Sequence, residues 1–335
     1  MAAFLFCGFF FMAFDHEILI ATAPVFDLEN SPEYGKPVQA YFRHYGLDFE
    51  KNQPGLIHRF GLVEAGNYQL ACHYWQHPRA RGSCFIVPGY LDHSGQFGKI
   101  IQQCLARQFS VIIFDLPGHG LSTGIPVSIH NFGEYQIALK AIIDRFGDEA
   151  QQPWRLIAQS TGASIAMDYL LSEGVRHFEK VVLLNPLVHT THWTRNCILH
   201  SLLKLFTARI PRQFATNSND ENYLRFVRED DPLQSRTIAL SWIGALKLWV
   251  KRFALLPSSE FDVLVVQGEA DETVDWRYNL NAIRSKFSQA HILRLRQGKH
   301  HMANEIDEIQ RPMWSAIDLY FDSKLNEDEI HAEIA

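Results

Sequence analysis

The sequence predicts an α/β domain: a mostly parallel central sheet with helices on both faces and a helical insertion within it. Three observations predict this. Short Val/Ile/Leu runs alternate with helical stretches of roughly a dozen residues, the rhythm of a parallel sheet covered on both sides. That rhythm stops after Asn185-Pro186 and resumes at Val263. Candidate catalytic residues fall where strand runs end.

The elements follow in order. Residues 1–60 read as an N-terminal arm, rich in Pro, Gly and aromatics after residue 15 and irregular over the core. Tyr68 to Trp75 alternates like a strand, and Cys84 to Val87 is a short apolar run closed by Pro88-Gly89. A helix is expected from Gly95 to Arg107, a strand at Val111 to Phe114, and a helix from Phe132 to Phe146. Arg155 to Ala158 reads as a strand, Ser160 to Leu171 as a helix and Val181 to Leu184 as a buried strand. Residues 187–256 carry no clear strand. Leu199, Leu202, Leu203 and Phe206, then Ile238, Trp242, Leu246 and Trp249, stand near helical spacing and mark a helical cap or lid insertion. The sheet resumes at Val263 to Val266, followed by a helix at Tyr278 to Phe287, a strand at His291 to Leu295 and a closing helix through Met313 to Phe321. The core is thus expected over residues 61–186 and 257–325.

Bulk properties exclude several classes. The 335 residues are 47% hydrophobic and 20% charged, so a large core can be buried. The net charge is −6 and no Lys/Arg run tracks phosphates, which argues against nucleic acid as a partner. Five dispersed cysteines without a C-x-x-C pair suggest a reducing, cytoplasmic setting. Residues 1–14 are almost wholly apolar but too short to span a bilayer. They read as a packed arm, a weak membrane-surface anchor, or sequence upstream of a true start at Met12.

The chemistry centres on Ala158-Gln159-Ser160-Thr161-Gly162. A strand turning sharply into a helix lifts its central serine above the sheet edge, and the turn needs small flanking residues. The helix N-terminus aims N–H groups and a positive dipole at the same point, suiting a developing oxyanion. A serine hydroxyl needs a base, and the base an orienting acid. Val265 to Asp271 runs from a buried strand into a loop ending in an acid; Leu293 to His300 does the same and ends in a histidine. The order Ser, acid, His matches a serine hydrolase on such a sheet. Glu269 and Asp275 compete with Asp271, but Asp275 is better placed to cap the next helix. Tyr90, after Pro88-Gly89, is the candidate second oxyanion donor beside Thr161, each through its backbone N–H.

Taken together, several segments resemble the lysophospholipase and monoacylglycerol-lipase group of the α/β-hydrolase fold, which is grouped with serine aminopeptidase S33-type hydrolases. They are Gly89 to Phe97, Asp115 to Ser122, Ser160 in its turn, Asp271, and Gly298 to Glu305. The resemblance spans about residues 60–322 and includes Asp230-Asp231-Pro232-Leu233 in the insert. It implies Ser160 as nucleophile, Asp271 as acid, Tyr90 as oxyanion residue, and His300 rather than His301 as base, because Asn304 and Glu305 follow at the family's spacing. Pro88 stands where the family usually has His, and Ala158 where it has Gly.

The expected activity is hydrolysis of a small-molecule or lipid-like carboxylic ester through an acyl-enzyme, with no metal or cofactor. His73/His77 and His189/His192 lack a third ligand for a metal. One alternative is an amide or peptide hydrolase, with Glu221, Glu229, Asp230 and Asp231 as an acidic pocket for a substrate amino group. Another is a binding protein without catalysis on the same scaffold. The oligomeric state is not legible.

Overall fold

The computed structural model describes residues 16–30, 33–147, 149–172 and 177–322. The apolar run at 1–14 and Cys7 lie outside them. In chain order the helices are α1 (His16–Thr22), α2 (Lys36–Tyr45), α3 (Gly98–Ala106), α4 (Gly133–Phe146), α5 (Thr161–Ser172), α6 (Trp193–Leu203), α7 (Glu221–Arg225), α8 (Leu240–Leu255), α9 (Trp276–Lys286) and α10 (Asp307–Phe321). The strands are β1 (Ile57–Ala65), β2 (Tyr68–Gln76), β3 (Ser83–Val87), β4 (Ser110–Phe114), β5 (Trp154–Gln159), β6 (Phe178–Leu184), β7 (Arg209–Pro211), β8 (Thr237–Ala239), β9 (Val263–Gly268) and β10 (Ala290–Leu295).

Eight strands form one sheet in the order β1-β2-β4-β3-β5-β6-β9-β10. Only the β1–β2 and β2–β4 pairings are antiparallel, so β2 alone runs against the others. The central strands are buried along their whole length. Alternate residues pack to opposite faces: Phe85, Ile112 and Leu156 join α4, α5 and α8, whereas Ile86, Ile113 and Ile157 join α2, α3 and α10. Burying each such side chain contributes roughly 1.5–3 kcal/mol. This two-sided demand is why the strands read as unbroken apolar runs.

Two expectations need correction. Residues 15–60 are not irregular: they contain α1, α2 and the start of β1. Val38, Tyr41, Phe42 and Tyr45 bury one face of α2, bracketed by Pro37 in its first turn and Gly46 in the left-handed conformation after its end. Pro37 and Gly46, within that Pro- and Gly-rich stretch, are helix boundaries. The stretch 187–256 is not free of strands either, since β7 and β8 form a three-residue antiparallel ladder. It is too short to produce a readable alternation. Among the described residues no helix is long and apolar enough to cross a membrane, and no group of His, Cys, Asp or Glu could hold a metal. His73 instead lies in a buried chain, bonded to His58 at 3.0 Å and to the Tyr41 hydroxyl at 3.1 Å.

Candidate active site

The carboxyl ends of β5, β9 and β10 converge on one point. Ser160 follows β5 directly, with a left-handed φ of 52° that only the surrounding packing can hold in a residue bearing a Cβ. Its N–H donates to Leu184 O at 2.9 Å, and its carbonyl accepts from Ser164 and Leu187. A Cβ on Gly162 would run into the Val87 carbonyl oxygen, which explains the glycine there. Ala158 is fully buried and its methyl is accommodated, so the first flank of the turn tolerates one carbon more than glycine.

The other two groups meet this serine. The Ser160 hydroxyl lies 2.9 Å from His300 Nε2, and His300 Nδ1 lies 2.7 Å from Asp271 Oδ2. Asp271 is held in turn by the backbone N–H groups of Thr273 and Val274 on its other oxygen. These bonds require Nδ1–H to donate to the carboxylate, leaving Nε2 to accept from the serine. Burial works against a charged imidazole, but the charge and hydrogen bond of Asp271, with Asp92 beyond, outweigh it and raise the His300 pKa above its ordinary value. Asp275 caps α9 through the Tyr278 N–H, and Glu269 pairs with Arg294; neither approaches His300 by hydrogen bond.

Tyr90 and Thr161 line the same cavity as Ser160. Thr161 opens α5, so its N–H has no acceptor within the helix. Gly89 sits against Ser160, where an added Cβ would stand 3.2 Å from the serine Cβ. Tyr90 follows; its hydroxyl donates to Val127 O at 2.9 Å and accepts from Ala239 N–H at 3.1 Å, while its ring stacks on Trp242 at 3.7 Å. Pro88 lacks an N–H, yet the loop is closed by Gly89 N–H donating to Asp92 Oδ2 at 3.1 Å.

Several contributors escaped sequence reasoning. Asn185, with a φ of 42°, accepts from Gly268 N–H and donates to the carbonyls of Lys299 and His300, tying three strand ends together. Glu305 is fully buried and accepts from the N–H groups of Lys299 and Asn219, linking the histidine loop to the insert. Asp231 accepts from His93 Nε2, the Tyr45 hydroxyl and Gln96 Nε2 at 3.0, 2.7 and 2.8 Å. The Asp230 to Leu233 segment was the available signal for this last cluster, though nothing in its spacing indicated the partners.

These groups open onto a cavity of about 380 Å³. Leu187 and Val274 line it from the core; Trp193, Leu203, Ile238 and Trp242 line it from the stretch between β6 and β9. The carboxylate on its wall is Asp92, 3.2 Å from His301 Nε2. Burial disfavours the charge of Asp92, but His301, Arg212 and His300 nearby hold its pKa below the ordinary value. Glu221, Glu229, Asp230 and Asp231 do not line the cavity, so the acidic amino-group pocket expected as an alternative is not formed by them. Asp231 faces His93 instead.

Residues 78–307 match the serine aminopeptidase S33 family of hydrolases. The chain belongs to that family. It is similar to the human monoglyceride lipase, 23% identical over 273 residues that cover 77% of this chain and 88% of that protein. A monkeypox virus monoglyceride lipase homolog is 22% identical over 271 residues, covering 77% and 96%. Among solved structures, a soluble variant of the Saccharomyces cerevisiae monoglyceride lipase in complex with a substrate analog superposes with a TM-score of 0.67 at 14% identity, over 79% of this chain and 96% of that one. The S33 match spans β3 to β10, the part of the chain that carries Ser160, Asp271 and His300.

Proposed function

We propose that this S33-family member hydrolyses carboxylic esters, with Ser160 as nucleophile, His300 as general base and acid, and Asp271 as the orienting carboxylate. The observation that carries the reading is the continuous hydrogen-bonded relay from Asp271 through His300 to Ser160, opening into an apolar cavity. In the first half-reaction His300 Nε2 takes the hydroxyl proton as Oγ bonds to the ester carbonyl carbon. The N–H groups of Tyr90 and Thr161 hold the oxyanion, and collapse expels the alcohol with the proton returned from His300. Water, deprotonated by His300, then attacks the acyl-enzyme and releases the acid and the free serine.

Residues 187–256 act in this reading as a cap over the core formed by 61–186 and 257–325. Its Trp193, Leu203 and Trp242 favour an acyl chain, in keeping with the monoglyceride lipases among the relatives. An ester fits better than an aminoacyl amide, because the cavity's one lining carboxylate, Asp92, is already engaged by His301 and the Gly89 N–H. The test is a chain-length series of monoacylglycerols, lysophospholipids, short esters and aminoacyl arylamides, together with labelling by a fluorophosphonate. Labelling at Ser160 with monoacyl esters turned over fastest is expected. Turnover confined to arylamides, or a protein that resists the probe, would remove the proposal.

A further inference from the structure

His200 and Leu240 line the cavity at Ser160 on one side and a second groove, about 680 Å³ in volume, on the other. The partition is fixed. His200 Nε2–H donates to Leu240 O at 2.9 Å, and its Nδ1 accepts from Lys247 Nζ at 3.4 Å. Gly244 on α8 faces this ring, and a Cβ there would reach the imidazole only at ordinary contact distance. A glycine inside a helix is less stabilising than alanine, and here it leaves the groove open beside His200.

The groove's charge is one-sided. Lys204 follows α6, Arg209 lies on β7, and Lys247 and Lys251 stand one turn apart on α8; no Asp or Glu is among the residues that line it. None of the four forms an ion pair among the described residues. Arg209 donates to Thr237 Oγ1 and Pro126 O, and Lys247 to Cys197 O and Ser201 Oγ. Glu134, whose carboxylate lies near the groove at His130, is engaged by the backbone N–H groups of His130 and Asn131 and by Tyr68. Four uncompensated cations over one groove stand out in a chain of net charge −6. Beside them Ile125 and Leu248, both more than half exposed, form an apolar strip along the groove.

We propose that this groove is a second ligand site, taking a single-chain anionic amphiphile: a long-chain carboxylate with its head among the cations and its chain along the apolar strip. Cations without carboxylates select the anion, and the strip selects a chain over a free anion. The identity of the source rests on the reading of Ser160 as an esterase, since the acid formed there arises one side chain away. The charge and shape of the groove do not rest on it.

The experiment uses the full chain, first treated with a long-chain alkyl fluorophosphonate, whose fluoride leaves as Ser160 Oγ bonds to phosphorus, and weighed intact and as peptides. Mass gain at Ser160 reports on the esterase reading and also fills the catalytic cavity. Calorimetric titration with submicellar dodecanoate then reads the groove. Saturable one-to-one binding is expected, weakened by salt and absent with dodecanol or acetate. The Lys204→Gln/Lys251→Gln variant should bind about tenfold more weakly, as two partly solvated charge contacts would dictate, while hydrolysing a short p-nitrophenyl ester normally. Gly244→Leu, which fills the groove, should abolish binding. Without phosphonate incorporation the esterase reading falls, and the two variants still decide the groove in untreated protein. Equal affinity for dodecanol, equal affinity for acetate, or binding unchanged in both variants would overturn the proposal.

Discussion

At the scale of single residues, the site depends on which state each group holds. The Ser160→Ala variant should lose about 10⁶ in kcat, the loss expected when the nucleophile of such a relay is removed. Hydrolysis of a p-nitrophenyl ester measures it, and turnover within tenfold of the parent would refute the assignment. Because Asp271 raises the His300 pKa, the base takes up its proton at a higher pH than a free imidazole does. The acid limb of kcat/KM is therefore expected above the ordinary imidazole value of 6.5. Asp271→Asn should shift that limb downward and lower kcat by about 10⁴, through the wrong tautomer. A limb that stays in place would show that another group titrates. Ser160, Asp271 and His300 were legible because the three follow strand runs in the order that such a relay requires. Asn185 was not legible. An Asn-Pro pair reads as a turn, and only the fold shows that its amide spans three strand ends.

At the scale of elements, the loop after β3 is fastened by buried polar groups as well as by the stack of Tyr90 on Trp242. Asp231 brings the insert to that loop through His93 and Gln96, and to α2 through Tyr45. Burial opposes its charge, but His93, then Tyr45 and Gln96, bring its pKa down to about 2. This stabilisation is fully present above the unfolded carboxyl value of 3.8 and fades as pH falls toward 2. Asp231→Ala strands three buried partners, so stability should drop by about 3–5 kcal/mol. Urea unfolding measures it, and a loss below 1 kcal/mol would mean that water replaces the carboxylate. The strands and most helices here were legible because the sheet is apolar on both faces and its helices amphipathic. The helix α2 shows the limit: its Val38, Tyr41, Phe42, Tyr45 spacing is helical and Pro37 and Gly46 bracket it, but a stretch rich in Pro, Gly and aromatics reads as irregular. For β7 and β8, three residues each, no periodicity exists to be read.

On the scale of the whole molecule, the segment before β2 is anchored by polar groups deep in the protein. His58 and His73 are buried, hydrogen-bonded to each other, and stacked with Trp75. Burial holds both pKa values below the ordinary 6.5, so the folded chain keeps them neutral while the unfolded chain takes up protons. The urea midpoint is expected to fall as pH drops through 6.5, and less steeply in a His58→Gln variant. Identical slopes in the two proteins would show that other groups set the acid limit. The tie between Tyr90 and Ala239 links two distant parts. In the proposed mechanism Tyr90 offers its amide to the developing negative charge, and its phenol accepts from the N–H of Ala239, the residue just before the long helix α8 that lines the cavity. Any shift of that helix on substrate entry would therefore be passed through one hydrogen bond to the residue whose amide must stay aimed, so roof and trigger are wired together.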